Sequence, residues 1–167
     1  WKAAAQLELP SASLVWSNFP YVPAITYFAR AIGASRVGEL DRARSALGQI
    51  ETIHAGLQKS PIAGPYDWTN QVASARMAAA AWLAYAEGHK DEAVKMARLA
   101  ADLEEKTGKH PVTPGPPLPA RELLGDLLLE MEQPAEALDA YDASLRDAPN
   151  RFNSLYGAAR AAELTGN

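Results

Sequence analysis

The stretch from Arg121 to Asn150, RELLGDLLLEMEQPAEALDAYDASLRDAPN, holds two runs of apolar residues at helical spacing, parted by a proline. Leu124, Leu127, Leu128 and Met131 recur every three or four residues, as do Ala137, Leu138, Tyr141 and Leu145, so each set falls on one face of a helix. Pro134 has no N–H and a fixed φ, which suits the first turn of a helix and not its interior, so a second helix begins there. Gly125 inside the first helix costs about 1 kcal/mol against alanine, and together with Ala137 it marks where two helix backbones come close. Pro149 closes the unit. A lone helical hairpin cannot bury its own apolar face, so neighbours of the same shape must cover it.

Copies are present. Glu132-Gln133-Pro134-Ala135-Glu136-Ala137-Leu138 aligns with Gly88-His89-Lys90-Asp91-Glu92-Ala93-Val94 and with Gly38-Glu39-Leu40-Asp41-Arg42-Ala43-Arg44. Phe152 to Gly166 repeats a first helix and its turn, and Trp1 to Leu7 reads as the end of an earlier second helix. Leu124, Gly125, Leu128, Ala137, Tyr141, Ser144 and Pro149 stand at the signature positions of the tetratricopeptide repeat, with Arg121 where tryptophan is usual, and the chain resembles that family. The resemblance implies an all-α, helix-turn-helix solenoid, its antiparallel helix pairs stacked in a right-handed superhelix. The expected organisation is one repeat domain over 1–167: the end of a repeat at 1–9, repeats at 23–58, 65–107 and 118–150, and the start of another at 151–167. Because the chain opens at Trp1 inside a helical pattern, it is expected to be a piece of a longer protein.

The turns at 38, 88, 132 and 166 stand 50, 44 and 34 residues apart, against a standard period of about 34. The excess lies in Lys59–Gln71 and Lys106–Pro119, where proline and glycine are too dense for helix, with part of it lengthening the flanking helices. Each insertion follows a second helix, so both should emerge on one edge of the stack. The region around HPVTPGP (110–116), with Pro149–Phe152 and Leu155–Ala162, further resembles the carboxy-terminal part of an uncharacterised bacterial family of tetratricopeptide-repeat proteins. Longer members of that family carry histidine-containing segments upstream.

Composition narrows the function classes. The 167 residues are 48% apolar, enough to bury a core, and the net charge of −4 supplies no basic face for a nucleic acid. With no cysteine there is no disulfide, thiolate metal site or thiol nucleophile, and the compartment stays open between cytoplasm and export. The most apolar run, Met77–Ala86, is about half the length of a membrane span. His54, His89 and His110 are the only imidazoles, and no metal-binding helix motif, nucleophile elbow or phosphate loop accompanies them, so no catalysis, cofactor or metal is expected. His110 and Thr113 belong to the family-like loop and are read as loop anchors, with a binding role as the alternative for His110.

Counting from the Leu124-Gly125 register, and taking the first helices to line a concave groove as the resemblance implies, four sets of residues face inward. They are Ile25, Phe28 and Ile32; Ala78, Trp82 and Tyr85; Glu122, Asp126 and Leu129; and Asn153, Tyr156 and Arg160. The groove is thus expected to be apolar and aromatic at one end and acidic, then mixed, at the other. Only Asn153 and Arg160 approach the lysine, asparagine and arginine set with which some such repeats clamp a carboxylate terminus. The expected function is a protein-interaction or scaffolding module that holds a peptide or protein segment against Phe28, Trp82, Tyr85, Glu122, Asp126, Asn153, Tyr156 and Arg160. Packing of the aromatic rings against the long loops, with Trp16, Phe19, Tyr21 and Trp68 as fillers, is the alternative use of that surface. A second reading makes the chain the structural half of a larger enzyme or metal protein whose site lies upstream. Self-association through the uncapped repeat ends is a third expectation.

Overall fold

The computed structural model describes residues 1–9, 16–110 and 116–166, and among them every regular element is helical. In chain order these are α1 (Lys2–Ala5), a 3₁₀ turn at Trp16–Asn18, α2 (Pro23–Arg36), α3 (Leu40–Lys59), α4 (Trp68–Ala86), α5 (Lys90–Thr107), α6 (Ala120–Glu130), α7 (Pro134–Asp147) and α8 (Phe152–Thr165). Helices α2 and α3, α4 and α5, and α6 and α7 pair through short turns. Each second helix also packs on the following first helix, and α2, α4, α6 and α8 touch in series.

The turns share one backbone solution. Gly38, Gly88, Glu132 and Gly166 have φ of 78°, 88°, 61° and 78°. In the first three the N–H of the next residue reaches back five positions: Glu39 to Ala34, His89 to Ala84 and Gln133 to Leu128, at 2.9, 2.8 and 2.9 Å. A bond of this kind, with the turn residue left-handed, terminates a helix and satisfies its last carbonyls. Five residues beyond each turn residue stand Ala43, Ala93 and Ala137, all fully buried. A methyl group there lets the second helix lie close against the first.

Closest approach occurs around Tyr141. Its ring sits between α6 and α8, where a Cβ added to Gly125 would come within 2.7 Å of it and one added to Gly157 within 2.3 Å. The hydroxyl donates to Asp126 Oδ1 at 2.6 Å, so the only polar atom of a fully buried ring is satisfied. At the other end of the stack, Gly33 of α2 carries the backbone of α1, and a Cβ on it would stand 2.5 Å from the Ala5 nitrogen. The insertions consume less chain than their composition suggests, because α3 and α4 extend to 20 and 19 residues, leaving residues 60–67 as the connection between them.

Glu132 is the one non-glycine residue held at positive φ among the described residues. Replacing Glu132 by glycine is therefore expected to stabilise the chain by about 0.5–1 kcal/mol, the cost of a side chain in the left-handed region, read from a urea midpoint shift at constant slope. Gly157→Ala should destabilise it by about 1–3 kcal/mol, because the Tyr141 ring is locked between two helices and cannot yield.

Candidate functional site

The two insertions meet over the amino-terminal turns of α2 and α4. Asp67 caps α4, its Oδ1 accepting the Asn70 N–H at 2.9 Å, and this sets Trp68 at the helix start. Trp68 stacks on Tyr21 with ring centroids 3.7 Å apart, and Tyr66 stands edge-on to Trp68 at 4.8 Å. From the second insertion His110 lies edge-on to Tyr66 at 5.1 Å and 5.3 Å from Trp68. The Tyr66 hydroxyl donates to Gln71 Oε1, with the Gly108 carbonyl also in range at 3.3 Å.

Beneath this aromatic cluster opens a cleft of about 390 Å³. Its walls are Val22, Ile25 and Phe28 of the α2 region, Val72, Ala75 and Ala78 of α4, and Pro116 to Leu118 before α6. Ile25 is half exposed at its mouth, whereas Phe28 is buried. Two polar groups of the wall are engaged with backbone: the Ser74 hydroxyl donates to the Ala100 carbonyl at 2.9 Å, and Glu104 Oε1 accepts the Ala120 N–H at 2.8 Å. Glu104 thereby caps α6 from a distance, since Pro119 at the start of that helix has no side chain able to do so. Burial pushes the Glu104 carboxyl up to about 7; the Ala120 N–H, Arg151 and Arg121 pull it down, and the Glu105 charge adds to the rise. The neighbouring Tyr66 hydroxyl is also raised, by burial first and then by the charge of Glu104.

The inward-facing residues expected from the sequence fall into four separate places. Phe28 and Ala78 line the cleft together with Ile25. One to two turns farther along α4, Trp82 is 2% exposed and belongs to the core, so it cannot be the exposed contact that the register implied. The Arg36 guanidinium lies between the Trp1 and Trp82 rings, 4.4 and 4.2 Å from their centroids, and is ion-paired to Glu130. Tyr85 is half-buried beside it, donating from its hydroxyl to the Glu130 carbonyl at 3.2 Å. The chain's own arginine thus occupies the middle of the surface.

Glu122 is corrected most strongly. It is 1% exposed, and its carboxylate takes two hydrogen bonds from Arg151, Nε to Oε2 at 2.6 Å and the second guanidinium nitrogen to Oε1 at 2.9 Å. Ser154 donates to Oε2 at 2.7 Å, and Arg151 also donates to the Pro117 carbonyl at 2.8 Å. This is a structural joint between α6, α8 and the second insertion rather than an acidic ligand contact. Asp126 is committed to the Tyr141 hydroxyl, and burial raises its carboxyl. Asn153, Tyr156 and Arg160 are exposed on α8, with Tyr156 stacked near Phe152 at 6.3 Å.

His110 joins the aromatic cluster, while Thr113 and residues 111–115 lie outside the described residues. His54 is on α3, its imidazole depressed by burial and by the Arg76 charge, and His89 is exposed in a turn. Among the described residues no group of three or more His, Asp or Glu is placed to hold a metal ion, and no helix is long and apolar enough to cross a membrane. Comparison with protein-family models, with curated proteins and with solved structures gives no match.

Glu104 carries a pH prediction. Between its unfolded value of 4.5 and its folded value of about 7, the folded chain retains a proton that the unfolded chain releases. Stability should therefore fall as pH rises through that window, by about 2 kcal/mol at roughly 1.4 kcal/mol per pH unit after discounting residual exposure. Glu104→Gln keeps an acceptor for the Ala120 N–H without the buried charge. Denaturation of this variant should show a flatter pH profile across the window and a higher stability than the parent above it.

Proposed function

We propose that the chain is a tetratricopeptide-like solenoid, its antiparallel helix pairs stacked in a right-handed superhelix, and that it acts as a binding or scaffolding module for a peptide or protein segment without catalysis of its own. The repeat reading is supported by the shared left-handed turns, by the buried alanine five residues beyond each of the first three, and by Tyr141 fitting between glycines of two first helices. The observation that carries the binding reading is the cleft of about 390 Å³ under the Tyr21, Tyr66, Trp68 and His110 rings. It is largely apolar, and its buried polar groups hold backbone atoms. Concave, mostly apolar pockets with a few polar groups are the usual sites of ligand capture.

The binding surface differs from a groove open along its length. Arg36 and Glu130 close its centre, so a partner segment anchors in the cleft at the edge where the insertions emerge, with Ile25 at the mouth. Exposed Tyr156 and Arg160 on α8 form a separate surface.

Peptides selected on the purified chain from a random display library should compete for this cleft. Ala75→Phe, which fills the cleft, should weaken them by about tenfold, the scale of losing one buried anchor, with the helical circular dichroism unchanged. Selected peptides whose affinity ignores Ala75→Phe would move the binding surface elsewhere.

A further inference from the structure

Deepening the cleft-binding reading, on which it rests, we propose that the cleft recognises a lysine of a partner peptide. The aliphatic stem lies along Phe28, Val72 and Ala75, and the ammonium meets the carboxylate of Glu104. The argument is one of missing counter-charge. Glu104 lines an apolar cavity and gives one oxygen to the Ala120 N–H. The two guanidinium groups that act on it are held in ion pairs elsewhere, Arg151 with Glu122 and Arg121 with Asp102 and Glu105. A carboxylate buried without a cation is costly, and the carboxyl responds by holding its proton up to about 7. An ammonium delivered on an apolar stem supplies the absent charge while its methylenes cover the apolar wall.

The geometry also separates lysine from other cations. A guanidinium favours two parallel bonds to both oxygens of a carboxylate, and here one oxygen is already taken by backbone, whereas an ammonium needs a single acceptor. A methylated ammonium favours open aromatic faces. Trp68 instead has one face covered by Tyr21 at 3.7 Å, with Tyr66 edge-on at 4.8 Å and His110 at 5.3 Å, so the rings form a packed wall rather than a cage. The volume exceeds that of a single lysine side chain, and half-exposed Ile25 offers a contact for apolar residues flanking it.

Several charges bear on this site from the surrounding elements. Glu105 lies on α5, Lys109 and His110 follow it, Tyr66 precedes α4, Arg121 lies on α6 and Arg151 precedes α8. Lys109 opposes a cation, but it is exposed and can swing into water. Protonation of Glu104 removes the charge that would pair with the ammonium, so acid weakens lysine binding.

Two blocked pentapeptides test the assignment, Ala-Leu-Lys-Leu-Ala and the same sequence with acetyl-lysine, titrated by calorimetry into the purified chain. At about pH 8 the lysine peptide should bind about tenfold more tightly, and at about pH 5.5 the difference should shrink, as expected for a charge pair in a partly dry site. Glu104→Gln, which retains the cap on α6, should abolish the difference, and Ala75→Phe should weaken both peptides. Equal affinities for the parent chain, a lysine preference that survives Glu104→Gln, or no binding of either peptide would overturn the proposal. Equal affinities that remain sensitive to Ala75→Phe would remove the lysine assignment and leave the cleft a peptide site; insensitivity to Ala75→Phe would remove both.

Discussion

The structure depends on how closely neighbouring first helices can approach, and that distance is set where the Tyr141 ring meets Gly125 and Gly157. An aromatic ring thrust from a second helix between two first helices fits only where neither carries a Cβ. The same contact fixes polarity, because the ring delivers its hydroxyl to Asp126 and so makes a half-buried carboxylate part of the joint. The preceding hairpins use another solution at that seam. Leu47 and Ala97 hold the place of Tyr141, counted from the turns, and Ala31 and Ala81 hold that of Gly125. Smaller ring-free contacts suffice there, consistent with the many alanines buried in α4 and α5.

Three carboxylates of the inward region illustrate three ways of meeting the cost of burial. Glu122 has a full complement, a two-pronged arginine and a serine, although it is almost fully covered. Asp126 has one strong neutral donor and is raised by burial. Glu104 has one backbone N–H and, among the described residues, no paired cation, and it borders the cleft. Binding chemistry belongs at the incomplete arrangement rather than the complete one, since a satisfied ion pair has nothing left to offer a ligand. The Arg36 guanidinium shows the converse on the same surface: with two indole faces and Glu130 around it, it fills space that a partner would otherwise use.

The hairpin boundaries were legible because turn chemistry is local. A glycine followed by a polar residue and an alanine five positions later states both the left-handed turn and the close approach after it. Even Glu132, with the wrong residue type, was placed by alignment with Gly38 and Gly88. The common edge of the two insertions was legible for the same reason, as each follows a second helix. What could not be read was which inward residue stays exposed. Trp82 and Glu122 satisfy the periodicity of a groove, but their burial depends on Arg36, Trp1 and Arg151, which approach from far along the chain. Helical spacing tells which way a side chain points and says nothing about what arrives in front of it. The aromatic cluster was only half visible, with Tyr21 and Trp68 recognisable as fillers. The pairing of Glu104 with the Ala120 N–H needed the path of the second insertion.

That path also explains why the cleft lies where it does. Ten residues before each turn stand Phe28, Ala78, Glu122 and Tyr156, one on each first helix. Between α6 and α8 the connection from α7 is short. It brings Arg151 directly onto Glu122, and the space is closed by an ion pair with Ser154 beneath it. Between α2 and α4 the connection is lengthened, and the helix that follows it offers only the methyl group of Ala78 at that level. The described part of the added chain does not fill the gap. Its rings pack on one another above it, Tyr66 and Trp68 from one insertion and His110 from the other, which leaves a roofed cavity instead of a filled one. A stack of hairpins at uniform spacing has no reason to hold such a space. The two insertions, costly in chain entropy and placed on a single edge, have a physical outcome that a regular repeat would lack: an apolar chamber with one under-compensated carboxylate in its wall.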